Sequence, residues 1–187
     1  MVFTERSRAS RDAVLAAARH AFAEHGYERT TVRGVASAAG LDPSMVMRYY
    51  GSKEGLFAAA VDVDLRLPDL SAIPRPQRGA ALAEHFLTLW EDPPTAEVLA
   101  LLLRSAATNP AAADRIRDVF TGQVVALAHT LDPADETAAR RRAAQLTAHM
   151  LGTALCRYVL RLPPVATPSR EAAAAAMAPV VQAILDA

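Results

Sequence analysis

The sequence predicts an all-α protein: a group of short helices at the amino end and a bundle of longer helices behind it, about nine helices in all. Three observations predict it. Apolar residues recur at three- and four-residue spacing through alanine-rich segments over most of the 187 residues, which puts them on one helix face. No window keeps up the alternation of a strand for long. Glycines, prolines and capping residues break the pattern at intervals suited to helix ends.

Arg8 to His25 reads as the first helix, with Val14, Ala17, Ala18, Ala21 and Phe22 on one face and Gly26 as its stop. Thr30 and Thr31 offer amino caps for a short helix from Val32 to Ala39, which Gly40 breaks. Asp42 caps a third helix running to Tyr50, with Pro43 in the first turn, where its missing N–H does no harm. Gly51 makes the next break, and Ser52 caps a fourth helix from Lys53 to about Leu67. Leu67 to Gln77 holds Pro68, Pro74 and Pro76 and is a connection. Helices follow at Arg78–Glu91, ended by Pro93-Pro94, and at Thr95–Thr108, ended by Asn109-Pro110. Two long ones come next, Ala111–Leu131, closed by Asp132-Pro133, and Ala134–Leu162. Pro163, Pro164 and Pro168 form the last linker. Ser169 caps a final helix to Leu185, which Pro179 should kink or split. The natural boundary divides residues 1–55 from residues 56–187.

Composition excludes several functions. Apolar residues make up 52% of the chain, enough for a core. No apolar run approaches the roughly 18 residues of a membrane span. The polar stretch Met1–Arg11, carrying Arg6, Arg8 and Arg11, has no signal-peptide h-region after it, so a cytoplasmic protein is expected. The single Cys156 excludes an internal disulfide and a cysteine-based zinc site. His85, His129 and His149 are too far apart in sequence for metal spacing, so neither metal nor cofactor is expected. Without a glycine-rich phosphate loop, a nucleophile elbow or a His-Glu-x-x-His, no enzyme is expected. Formal net charge is zero, which argues against an indiscriminate polyanion binder. Its distribution is mildly uneven: +2 over residues 1–55 and −2 over the remainder. Nineteen of the twenty basic residues are arginine, and the sole lysine is Lys53.

The second and third helices are short and joined by the tight turn Ala39-Gly40-Leu41. This is the spacing of a helix-turn-helix, in which the second of the pair enters a DNA major groove. Val32, Val35, Ala36, Ala39, Leu41 and Val46 can pack the pair together. The other face of the third helix presents Ser44, Met45, Met47, Arg48 and Tyr49. Arginine pairs with guanine or phosphate, and methionine can contact thymine methyls. Lys53 lies at a helix amino terminus, where free amides already favour an anion.

The ordered string Ala21-Phe22, Gly26-Tyr27, Thr30-Thr31-Val32, Val35-Ala36, Ala39-Gly40-Leu41, Met47-Arg48-Tyr49-Tyr50 and Gly51-Ser52-Lys53-Glu54-Gly55-Leu56-Phe57 resembles the amino-terminal domain of tetracycline-repressor-type (TetR-family) regulators. It covers residues 8–60; beyond Val61 the likeness is architectural. The resemblance implies a transcriptional repressor that binds a double-stranded DNA operator. It places Thr31 and Arg33 at positions that touch phosphate or base. It places Ser44, Met45, Met47 and Arg48 facing the groove, and Tyr49 and Lys53 on phosphates. One departure stands out: family members often carry tyrosine where this chain has Met47, and methionine cannot donate a hydrogen bond.

Five further helices have plausible lengths for the ligand-binding and dimerisation domain that the same resemblance implies. Phe86, Trp90, Leu103, His149, Met150 and Tyr158 are the candidate pocket residues, with plain bundle core as the competing reading. Arg104 and Arg157 are the nearest basic candidates in sequence, with a solvent-facing position as the alternative. This lining would suit a small hydrophobic effector of unknown identity that releases the repressor from DNA. A homodimer is expected through a four-helix interface of the last two helices, with Leu146, Met150, Thr153, Ala154, Val180 and Ile184 facing the mate and Gly152 permitting close approach. Two other readings remain. One is a helix-turn-helix regulator without a small-molecule effector. The other is a helical ligand-binding or scaffold protein that has lost DNA binding, against which Thr31, Arg48 and Lys53 argue.

Overall fold

The computed structural model describes residues 5–131 and 133–187, and the side chains from Ser7 onward. Arg6 and Asp132, used above as part of a basic segment and of a helix break, therefore lie partly or wholly outside the described residues. Among the described residues every regular element is helical. The elements are α1 (Glu5–Arg29), α2 (Val32–Ala38), α3 (Pro43–Tyr50), α4 (Lys53–Ala60), α5 (Arg78–Glu91), α6 (Thr95–Ser105), α7 (Pro110–Val119), α8 (Val125–Leu131), α9 (Glu136–Ala154), α10 (Pro163–Ala166) and α11 (Arg170–Asp186).

The chain forms two compact units. The first contains the residues up to Val63 and also Glu97–Arg115; the second contains Asp64–Ala96 and Ile116–Ala187. The expected boundary after residue 55 falls inside α4, whose Leu56, Phe57 and Ala60 are buried.

In the first unit α1 packs on α2 and α4, and α3 packs on α2 and α4. Val14, Ala18 and Phe22 of α1 meet a core of Val35, Ala36, Val46, Leu56 and Phe57, all at most 1% exposed. Phe22 and Phe57 meet edge-to-face with centroids 5.0 Å apart, a favoured aromatic geometry. Helical conformation in α1 is interrupted at Gly26, with φ 76°, the stop the sequence placed there. Thr30 and Thr31 divide the work expected of either. Thr31 caps α2 by accepting from the Gly34 amide at 3.0 Å. Thr30 is buried, and its hydroxyl donates to the carbonyls of Ala21 and Gly26.

In the second unit the most extensively packed helix pair is α5 with α11. Gly79 makes that approach possible: a Cβ there would lie 2.5 Å from the Ala178 carbonyl oxygen. Leu70, Leu82, Leu127, Leu146, Val181 and Leu185 form the core cluster, with Met150 and Ile184 packed against it.

Three expectations need correction. The fourth helix ends at Ala60, not Leu67. Val61-Asp62-Val63-Asp64-Leu65-Arg66-Leu67 alternates apolar with polar. The backbone there is non-helical, with Val61 and Val63 buried and Asp62 and Asp64 exposed, the pattern of an extended segment with one covered face. The long helices 111–131 and 134–162 each contain a π-helical turn, Phe120–Val124 and Leu155–Val159, and Pro163–Ala166 coils into α10 within the expected linker. Pro179 does not split the final helix, which runs unbroken from Arg170 to Asp186.

Candidate nucleic-acid interface

The turn between α2 and α3 shows why this stretch folds as it does. Gly40 has φ 66°. Its amide donates to the Ser37 carbonyl at 3.1 Å, and the Leu41 amide to the Ala36 carbonyl at 2.9 Å. This pairing closes a helix on a left-handed residue, where glycine carries no Cβ penalty. Asp42 then restarts the chain by accepting from the Ser44 amide at 2.8 Å, with Pro43 in the first turn. The side-chain and backbone hydrogen bonds from Ser44 hold the Asp42 carboxyl below its ordinary pKa.

On α3 a single buried residue, Val46, anchors the helix to the core. The flanking positions point elsewhere. Met47 is 44% exposed, Ser44 and Arg48 are exposed, and Met45 and Tyr49 are half-buried. Thr31 and Arg33 at the start of α2 are exposed as well. The Arg11 guanidinium lies over the Tyr49 ring at 5.1 Å, and the Tyr50 hydroxyl donates to the Arg11 carbonyl at 3.2 Å. The amino-terminal part of α1 is thereby tied to the end of α3. Ser52 caps α4 through the Gly55 amide at 3.0 Å. Lys53, half-buried, donates from Nζ to the Glu28 carbonyl at 3.1 Å.

Similarity to known proteins agrees with this geometry. Residues 14–60 match the profile of bacterial regulatory proteins of the tetR family. Residues 77–185 match that of the tetracyclin repressor-like C-terminal domain. The chain belongs to the TetR family. It is thus a DNA-binding transcriptional regulator with an amino-terminal helix-turn-helix and a carboxy-terminal helical domain. The HTH-type transcriptional repressor AcnR of Corynebacterium glutamicum is 44% identical over 55 residues, which is 29% of this chain and 29% of that repressor. A TetR-family regulator from Streptomyces coelicolor A3 has 27% identity and a TM-score of 0.63, with 100% of both chains covered. NalD of Pseudomonas aeruginosa, the secondary repressor of the MexAB-OprM multidrug efflux pump, shares the fold. It has 22% identity and a TM-score of 0.74 over 95% of this chain and 96% of its own.

The pocket candidates are brought together only in part. Phe86, Trp90 and Tyr158 form an aromatic group: Trp90 stacks on Tyr158 with centroids 5.2 Å apart, and Phe86 lies 6.1 Å and 6.5 Å from them. Met150 packs against the leucine cluster. His149 is half-buried, with Nε2 shielded from solvent and without a hydrogen-bond partner. Leu103 falls within the first unit. Arg157 is not solvent-facing, the alternative the sequence reading left open, but 8% exposed. Its Nη2 pairs with Glu91 at 3.1 Å, and its Nη1 donates to the carbonyls of Val165 and Pro168 at 2.8 and 3.1 Å. Tyr158 donates to the same Glu91 oxygen at 2.9 Å. Burial, with the Glu91 hydrogen bond, pushes its pKa up to about 12. The sequence reading missed Glu91, which lies 66 residues from Arg157, and local spacing carries no signal for that pairing. Nor did it mark the groove of about 540 Å³ between α1 and α2 in the first unit, lined among others by Ala17, Ala21, Ala38, His20, His25 and Arg29.

Proposed function

We propose that the chain is a homodimeric repressor that reads its operator with α3. Arg48 and Met47 would meet base edges, Ser44 and Met45 the groove wall, Thr31 and Arg33 the flanking strand, and Tyr49 and Lys53 phosphates. The observation that carries this reading is the pose of α3: capped at Asp42, anchored by Val46 and leaving Met47 and Arg48 outward. The name of AcnR, an HTH-type transcriptional repressor 44% identical over 55 residues, supports the sign of regulation. In the second unit the Phe86–Trp90–Tyr158 group is bordered by a carboxylate and a guanidinium that neutralise each other. It would favour a neutral, ring-bearing or lipophilic effector over a charged metabolite, because an unpaired buried charge is costly.

Footprinting on DNA from the chain's own promoter region tests the first half: a two-fold protected site is expected. A thermal-shift screen tests the second. A ligand at 100 times its dissociation constant stabilises by about 2.7 kcal/mol, so apolar ring compounds should raise the melting temperature and release the footprint. Shifts by highly charged metabolites alone would overturn the effector assignment.

A further inference from the structure

Lys53 is the sole lysine of the chain, and its ammonium is held on two sides. Nζ lies 4.4 Å from the centroid of the Tyr27 ring and donates to the Glu28 carbonyl at 3.1 Å. The Tyr27 ring is itself fixed. Its hydroxyl crosses from α1 to α4 and donates to Glu54 Oε1 at 3.0 Å. It meets Phe57 in a T-shaped contact at 5.1 Å, and it stacks on Phe22 at 5.9 Å. Burial first, and then the Glu54 carboxylate, raise the Tyr27 pKa, so the phenol stays neutral.

We propose that Tyr27 is a positioning residue for DNA binding, whose ring face holds the Lys53 ammonium at the amino end of α4 in the orientation that meets a backbone phosphate. This rests on the reading of Lys53 as a phosphate contact. An ammonium has three N–H donors; the Glu28 carbonyl takes one, and a phosphate can accept from another without breaking the ring contact. A free lysine loses much rotamer freedom when it docks. One already restrained by an electron-rich ring and a carbonyl loses less, and the phosphate contact is stronger by that difference.

The single lysine makes the test direct. Full-length protein labelled at lysine side chains gives one NMR signal set. Its methylene protons should lie upfield of the random-coil position, shifted by the Tyr27 ring. Tyr27→Phe should keep the shift, and Tyr27→Leu should lose it. On a random-sequence duplex, which reports phosphate contacts without base readout, Tyr27→Leu should weaken binding about two- to fivefold, the weight of an exposed cation–π contact. In a Lys53→Met background the same change should cost nothing further. Equal losses in both backgrounds, or tighter binding by Tyr27→Leu, would overturn the proposal while leaving Lys53 as a phosphate contact. An unchanged affinity for Lys53→Met alone would overturn both. Should Tyr27→Leu fail to fold, a random-coil lysine signal in the unaltered protein still refutes the proposal.

Discussion

Arg48 and Lys53 are five positions apart, and their losses should look different. Lys53→Ala should weaken binding to every duplex alike and lower the slope of log affinity against log salt by about one unit per protomer, about two for a bound dimer, because each head neutralises one fewer phosphate. An unchanged slope would remove Lys53 from the phosphate contacts. Arg48→Ala should cost about 1–3 kcal/mol on the operator and less on random DNA, because a guanidinium on a guanine edge discriminates bases. Equal losses on the two duplexes would make it a phosphate contact. In the second unit Arg157 touches Glu91, Tyr158 and three carbonyls of the α9–α11 connection. Arg157→Ala would strand those partners, and urea unfolding should show a loss of about 3 kcal/mol; a loss within 1 kcal/mol would mean water replaces the guanidinium. Tyr158 has its pKa raised to about 12, so its neutral form is favoured in the folded state. That contribution is complete below about pH 10, the unfolded value, and is lost as pH rises through about 12. Alkaline titration of phenolate absorbance should show a late step that Tyr158→Phe removes.

Capping residues and glycines made most helix ends legible. Asp42, Ser52 and Ser169 cap the helices they were expected to cap, because an N-cap acts on amides two or three residues away and leaves a local signature. The same locality explains the failures. The alternating Val61–Leu67 stretch was visible, but an alanine-rich helix before it made continuation the easier reading. The two π-helical turns leave no mark, since their extra residue shifts side chains without changing composition. The turn chemistry makes its own test. Gly40→Ala would force a Cβ into the left-handed region and should cost about 1–2 kcal/mol in thermal unfolding. Asp42→Ala removes the α3 cap and should cost about 1 kcal/mol. If Gly40→Ala were neutral, the α2–α3 turn would not depend on its φ of 66°. The helix-turn-helix was more legible than the aromatic group of the second unit for the same reason. The residues proposed to face DNA sit within 23 positions of one another, whereas Glu91 and Arg157 meet through the fold.

Dimerisation calls for a revised face. Leu146 and Ala154, expected to meet a mate, are buried within the monomer at 3% and 0% exposure, and Met150 and Ile184 pack on its core. The exposed small and apolar residues are Ala148, Gly152 and Leu155 on one stripe and Ala176, Val180 and Ala183 on another. Both run at i, i+4, i+7, one helix face each. Leu155→Arg and Val180→Arg should therefore yield monomers at micromolar concentration in analytical ultracentrifugation, while Leu146→Arg should unfold the domain instead. An intact dimer in both surface variants would place the interface elsewhere. Paired heads on a two-fold operator give specificity that one head cannot reach. Sequence-specific operator binding through α3 is what all of this depends on, and titrating the full-length protein against its own promoter duplex and a scrambled duplex at the same salt measures it. The promoter duplex should bind at least about a thousandfold more tightly, and Arg48→Ala should lower that ratio at least about fivefold, the lower end of the value of one guanine contact. Equal affinity for the two duplexes, or a ratio that Arg48→Ala leaves intact, would contradict it.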